Sequence, residues 1–342
     1  MRRFSKTIAI LLIVLLLLAV ALASELRRPK LTYEPIARTD FILNTFVTIT
    51  LYEYPDAALL DSAIDLCREY ETVFSRTQEG SELYELNHRD ERTGSFAVSD
   101  DMRDLLASAL HYCEVSDGAF DITVAPIVDL WDFTASQPSL PDSQALADAA
   151  AKVDWRMLKL SQNTLTFLSE DTEIDLGAIA KGFIADRLKD YLKEEGVTRG
   201  IINLGGNVLC IGDKQENTPF SIGLQKPFAQ RSETIALLNV SDRSLVSSGV
   251  YERHFILDGK NYHHILNPKT GMPYDNGLTS VTILSEHSVD GDGLSTVCFS
   301  LGLQKGLALI NSLEDTYAYF ITNDYEIYYS DGAEAFLQGG TS

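Results

Sequence analysis

Positive charge is scarce in this chain of 342 residues: 28 Lys and Arg face 49 Asp and Glu, a net charge of −21, with an isoelectric point near 4.6. Such a surface is repelled by phosphate backbones, which excludes nucleic acid as a partner. A phosphorylated ligand must have its charge met locally, by a metal ion or by helix N-termini. Cysteine is scarcer still. Cys67, Cys113, Cys210 and Cys298 stand singly, so no C-x-x-C pair offers a redox motif or zinc ribbon, and four buried free thiols are expected. G-x-G-x-x-G, Walker A, H-E-x-x-H and G-x-S-x-G are all missing, which removes the Rossmann, P-loop, zincin and serine-hydrolase readings. Asp290-Gly-Asp292-Gly starts like a calcium loop but lacks the later ligands and the closing Glu.

Long apolar runs are missing too, with one exception. Ile8 to Ala23 follows Arg2, Arg3 and Lys6 and ends in Ala21-Leu22-Ala23-Ser24. A basic start, an apolar stretch and an A-x-A-like site predict a signal peptide or N-terminal membrane anchor over residues 1–24. The protein is therefore expected to be exported and extracytoplasmic, and held at the cell membrane where the leader is retained. The leader carries bases and no acids, so the rest of the chain is more acidic than the whole. Residues 25–40 read as a polar tether, and 41–342 as the folded domain.

Within that domain, Val47, Ile49 and Leu51 alternate with Thr between Thr45 and Tyr52, the period of a half-buried strand. Pro55-Asp56 opens a helix to about Phe74, with Leu60, Ile64, Cys67 and Val73 on one face. Ser99 caps a second, with Leu105, Leu106, Leu110 and Cys113 inward. Ser136 to Ser143 reads as a surface excursion before a short Ala-rich helix. Short strands follow Met157, then a helix over about Ala178–Glu195 and strands from Gly200 to about Val246. The last hundred residues read as a strand Thr279–Ser285, helices Ser288–Leu303 and Gln304–Leu313, and a hairpin Ala318–Tyr329 turning at Asn323-Asp324. Strands cluster beside helices without strict alternation, so the predicted fold class is α+β with largely antiparallel sheets and packed helices.

Polar clusters punctuate these apolar elements. Asp117-Gly-Ala-Phe-Asp121 sets a carboxylate between a turn and an apolar run. Asp175-Leu-Gly-Ala-Ile-Ala-Lys181-Gly182 puts Asp175 where a helix N-cap would sit. Asn203-Leu-Gly-Gly206-Asn207 follows a strand, and its paired Gly imply a bulge or the close approach of a backbone or ligand. Ser247-Ser-Gly249 ends another strand, and His263-His264-Ile-Leu-Asn267-Pro-Lys-Thr-Gly271 enters a tight turn. Asp292 and Thr296, four apart, share one helix face. Singly, each has a bland reading: a cap for Asp175, a satisfied structural imidazole for either His, a helix-capping Asp292 with a back-bonded Thr296.

Together and in this order, the clusters resemble the ApbE family of flavin transferases (FAD:protein FMN transferases). The likeness runs from about Phe41 to Tyr329 through Leu43-Asn-Thr45, Gly118–Pro126, Asp175–Gly182, Asn203–Gly206, His264–Gly271 and Asp292–Thr296. The resemblance implies an architecture of two intimately packed α/β parts. It implies Mg²⁺-dependent transfer of FMN from FAD to a Thr or Ser hydroxyl of an exported or membrane redox protein, with release of AMP. That acceptor would be the flavoprotein subunit of a membrane or extracytoplasmic electron-transfer system. The resemblance further puts Mg²⁺ on the Asp292 carboxylate, the Thr296 hydroxyl and the main-chain oxygen of Ala178, with Ser295 assisting. FAD would lie against Leu43, Ala119, Phe120, Asp121, Asp175, Lys181, His264 and Ile265, with His264 as catalytic base. These residue types suit that chemistry, because an alcohol needs a base to attack phosphorus and pyrophosphate charge needs hard oxygen ligands and cations. The chain departs from the common family pattern at Leu43-Asn44, where many members have Met-Gly, at Val250, where many have Asp, and at Thr77, where some have Tyr. Two other functions fit the same residues: a Mg²⁺-dependent FAD pyrophosphatase giving FMN and AMP, and a non-enzymatic flavin-binding protein.

Overall fold

In the computed structural model the structure describes residues 34–339 except Pro55 and Arg231. The leader expected over residues 1–24 lies outside these residues. No helix among the described residues is long and apolar enough to cross a membrane.

The chain opens with a hairpin of β1 (Ile36–Ile42) and β2 (Thr45–Leu51), turning at Leu43-Asn44 with φ of 57° and 56°. Two successive positive φ values make the primed turn that matches strand twist. The sheet thus takes in the last residues of the stretch expected to be a tether. Then come α1 (Ala57–Phe74), α2 (Glu82–Asn87), β3 (Gly94–Ala97), α3 (Asp100–Val115), α4 (Ala125–Val128), α5 (Ser143–Ala150), β4 (Leu158–Ser161) and β5 (Thr164–Phe167). The second half runs α6 (Ala180–Glu194), β6 (Gly200–Leu204), β7 (Asn207–Ile211), β8 (Phe220–Gln225), β9 (Thr234–Val240), β10 (Ser244–Gly249), β11 (His254–Leu257), β12 (Lys260–His263), β13 (Leu278–Ser285), α7 (Ser288–Leu301), α8 (Leu303–Ile310), β14 (Tyr317–Thr322) and β15 (Ile327–Tyr329).

Eight strands form one sheet in the order β1-β2-β6-β7-β10-β13-β14-β15. Every neighbouring pair in it is antiparallel, and the smaller sheets are antiparallel too, so the predicted α+β class holds. Side-chain alternation divides the core between the two faces. Leu209, Ile211, Ile283 and Phe320 join the main core under α1, α3, α6 and α7. Their neighbours Cys210, Leu284 and Tyr319 point the other way, into a second core closed by the β8–β9 hairpin. β13 is therefore buried along its whole length. A third, aromatic cluster joins Trp131, Phe255 and Tyr262 beneath the His263–Gly271 segment, with the Trp131 indole N–H donating to Gly271 O at 2.9 Å.

Local capping follows the sequence. Asp56 accepts from Ala58 N and Leu59 N, Ser99 from Met102 N, and Asp142 from Gln144 N and Ala145 N; each cap satisfies donors that a helix start leaves orphaned. All four cysteines are free and buried.

Candidate active site

α7 enters the core with a carboxylate on its inner face. Asp292 is buried and accepts hydrogen bonds from Gly182 N of α6 at 2.5 Å and from Asn207 Nδ2 of β7 at 3.2 Å. Burial pushes its carboxyl above the ordinary range, against the opposing pull of Lys181 and the two donors. Asn207 is itself held by Ser288, whose hydroxyl donates to Asn207 Oδ1 at 2.8 Å. One turn on from Asp292, the Thr296 hydroxyl lies 3.1 Å from the Ser248 hydroxyl of β10, which also meets Ser295 at 2.8 Å.

The Gly182 N–H has a second consequence. In a regular helix it would close on the carbonyl four residues back, that of Ala178. Because it turns to Asp292, no donor reaches Ala178 O among the described residues, and that oxygen belongs to an exposed turn. The donation requires close approach of α6 and α7. A Cβ at Gly182 would sit 2.3 Å from Ser288 O, so Gly182→Ala is expected to force the helices apart and break the hydrogen bond to Asp292. The cost is about 1–3 kcal/mol for overpacking against backbone, seen as a lowered melting temperature.

Asp175 is not the cap of α6, which starts at Ala180 with no side-chain cap. Its Oδ1 accepts from Gly177 N at 2.7 Å, an Asx turn, and its Oδ2 pairs with Arg76 Nε at 3.4 Å. Lys181 lies in the first turn of α6 and donates to Gly177 O at 3.2 Å. Its charge acts on both the Asp292 carboxylate and the His264 imidazole.

His264 follows β12. Its backbone N–H and its Nδ1 both reach Arg253 O, at 3.1 and 3.3 Å. A ring that donates from Nδ1 to a carbonyl keeps the Nε2 lone pair for a substrate. Packing pushes this imidazole down to about 3, and the neighbouring His263 and Arg253, with Lys181, press the same way. It is neutral throughout the physiological range. His263 is fully committed elsewhere: Nε2 donates to Tyr274 O at 2.9 Å and Nδ1 accepts from Ile265 N at 3.3 Å.

Tyr274 ties this segment to the Gly118–Ala125 loop, donating its hydroxyl to Ala119 O at 3.0 Å while its N–H reaches Ile265 O. Phe120 of that loop and Ile265 after β12 are both buried in the main core. Asp121 accepts from Thr123 N, Thr123 Oγ1 and Trp155 N, and burial raises its pKa; its carboxylate shapes the loop. Leu43 heads the β1–β2 turn with its N–H on Glu71 Oε1 at 2.8 Å.

The structure thus links Asp292, Ala178 and Lys181 through the start of α6, Thr296 through α7, and Ala119 with Ile265 through Tyr274. The sequence motifs contain Asn207 and Ser248 without marking a role for either, and Arg253 and Tyr274 lie outside every motif. Asn207 follows a Gly-Gly pair and Ser248 a strand end, which are the available signals. Nothing local marks Arg253, whose carbonyl holds His264, or Tyr274, whose hydroxyl and N–H reach the carbonyls of Ala119 and Ile265.

An antiparallel α+β frame carries oxygen ligands, a lysine and a neutral imidazole on neighbouring segments, a candidate site for an anionic ligand. The chain matches the ApbE family over residues 43–321. It is 38% identical over 288 residues to an FAD:protein FMN transferase of Klebsiella pneumoniae (strain 342), covering 84% of this chain and 89% of that one. It is 32% identical over 317 residues to an FAD:protein FMN transferase of Treponema pallidum (strain Nichols), covering 86% and 87%. Among solved structures, the flavin transferase ApbE from Vibrio cholerae superposes with a TM-score of 0.79 at 26% identity, over 89% of this chain and 99% of that one. The ApbE protein from Thermotoga maritima gives 0.80 at 27% identity, with the same coverage. This chain belongs to the ApbE family.

Proposed function

We propose that this enzyme transfers FMN from FAD to a Thr or Ser hydroxyl of an exported or membrane redox protein, in a Mg²⁺-dependent reaction that releases AMP. Lys181 carries the reading: one cation acts at once on the buried Asp292 carboxylate and on the neutral His264 imidazole, so a ligand with a pyrophosphate between them would meet all three.

The donor set suits Mg²⁺. One buried carboxylate (Asp292), a hydroxyl (Thr296) and a carbonyl oxygen without a donor (Ala178) are hard oxygen ligands, and Mg²⁺ takes few carboxylates when substrate phosphates complete its shell. Bound there, it would neutralise pyrophosphate charge and polarise the phosphoryl oxygens. The chain's own groups supply the rest. The acceptor hydroxyl gives its proton to His264 Nε2 as its oxygen bonds to the FMN phosphorus, and the bridging P–O bond breaks toward AMP. Lys181 offsets charge on the departing phosphate, and in-line transfer needs positioning more than covalent help. Leu43, Ala119, Phe120, Asp121, Asp175 and Ile265 frame the nucleotide on this reading. The leader directs the enzyme out of the cytoplasm, where its acceptor is the flavoprotein subunit of an electron-transfer system.

The test is incubation with FAD, Mg²⁺ and a candidate acceptor protein, reading flavin fluorescence that survives denaturation, with EDTA abolishing the signal. AMP without labelled protein would favour hydrolysis, and bound FAD without AMP would leave only a flavin-binding protein.

A further inference from the structure

α6 and α7 meet along successive turns in one register. The Asp186 carboxylate of α6 accepts two backbone N–H groups from the first turn of α7, Ser288 N on Oδ1 at 2.8 Å and Val289 N on Oδ2 at 2.9 Å. One turn earlier on α6 and one turn later on α7, Gly182 N meets Asp292 Oδ2. A further step of four residues reaches Ala178, in the turn just before α6, and Thr296 on α7. The two observed rungs therefore lead directly to the oxygen set read as the metal site.

The first rung comes from outside α7. His287, the residue at its N-cap, makes no side-chain capping bond. A carboxylate from another helix takes its place, doubly bonded and favourably placed against the helix dipole. Because a helix is rigid, fixing its first turn fixes the rotation and height of the side chains one and two turns along.

We propose that Asp186 is a positioning residue for the metal site: by gripping the first turn of α7 it sets the register in which Asp292 and Thr296 face the Ala178 carbonyl. The inference rests on the reading of this site as Mg²⁺-dependent. Asp186 never touches substrate and acts through α7. Its surroundings argue against a role in stability alone. Its oxygens are held by Ser288 N and Val289 N, the charges of His287 and Asp290 on the α7 side act on it, and its own charge acts on Tyr112 of α3. Burial pushes its carboxyl up to about 6. A raised carboxylate pKa means that the folded chain holds the charged form at a cost above about pH 6, and regains that stability as pH falls toward the ordinary value. A neutral side chain would remove the cost and loosen the grip.

Asp186→Asn and Asp186→Glu decide the matter. Mg²⁺ alone is titrated into FAD-free protein by calorimetry at neutral pH, FAD affinity is read in EDTA, and melting is followed in parallel. For Asp186→Asn the expected result is an unchanged or raised melting temperature, unchanged FAD affinity, and Mg²⁺ affinity about tenfold weaker, the size found when groups behind metal ligands are altered. Asp186→Glu, which keeps the charge and both acceptors, is expected to recover most of that loss. Wild-type Mg²⁺ affinity in a folded Asp186→Asn protein would overturn the proposal. So would equal losses of Mg²⁺ and FAD binding in both variants with non-cooperative melting, since that marks a purely structural part. Transfer is assayed separately: a wild type that binds Mg²⁺ yet joins no flavin to protein removes the transferase reading, while the ratio of Mg²⁺ affinities still decides the part played by Asp186.

Discussion

Asp292→Asn is expected to lower flavin transfer at least about a thousandfold, the scale of losing a principal charge-stabilising group, while leaving the fold at least as stable as the wild type at neutral pH. The first half follows from chemistry: Asp292 is the carboxylate in a donor set otherwise made of a hydroxyl and a carbonyl, and an amide is a poor ligand for Mg²⁺. The second half follows from burial. Its carboxyl is raised above the ordinary range because the charged form has left water, so the fold pays for that charge at pH 7 and is relieved as pH falls through the raised value. Asn retains one oxygen for the Gly182 N–H and gives up the longer contact that Asn207 Nδ2 makes with the other carboxylate oxygen, a smaller loss than the relief of the buried charge. AMP release and denaturation-resistant flavin fluorescence check the rate, and calorimetric melting checks the fold. A sharp fall in melting temperature would mean that the carboxylate is held for structure. Near-wild-type transfer would remove Asp292 from the site.

His264→Ala is expected to lower the rate about 10²–10⁴-fold, the usual worth of a general base, with FAD still bound in an equilibrium measurement. The pH profile carries a sharper expectation. In the free enzyme the imidazole is pushed down to about 3 by burial and by His263, Arg253 and Lys181. Its base form therefore predominates well below neutral pH, and kcat/KM should show no acid limb near the ordinary value of about 6.5. A bound pyrophosphate adds negative charge beside the ring and favours the protonated form. The limb in kcat, which reports the enzyme–substrate complex, should accordingly lie at higher pH than the limb in kcat/KM. Coincident limbs, or wild-type rates for His264→Ala, would exclude His264 as the base.

Much of the fold was legible because burial leaves a period in the sequence. Val47, Ile49 and Leu51 alternate with Thr and do face the main core; Asp56 and Ser99 announce helix starts by chemistry confined to three or four residues. The hairpin after β14 turns within residues 323–326 as the local polarity suggests. β1 was harder to see, because an edge strand with Ala37, Arg38 and Thr39 exposed has little apolar alternation to show.

The candidate site was legible as motifs in order and not as an arrangement. Asp175 looks like a helix cap from its neighbours, yet Arg76, brought from the end of α1, and the Asx turn onto Gly177 claim its two oxygens. Gly205-Gly206 reads as a bulge or a ligand contact. It is the turn between β6 and β7, with φ of 64° and 100°, and Gly205 lies flat because a Cβ there would strike the Thr45 side chain. Composition, periodicity and capping determined the α+β class and the buried thiols, since those depend on each residue's exposure and its nearest neighbours; the candidate site residues came from the order of motifs that resembles the family. Only the tertiary structure decided that Gly182 donates to Asp292, that Ala178 O is thereby left open, and that Asp186 grips α7. Those contacts join elements far apart in sequence, and their register comes from packing α6 and α7 on one sheet, which no local pattern records.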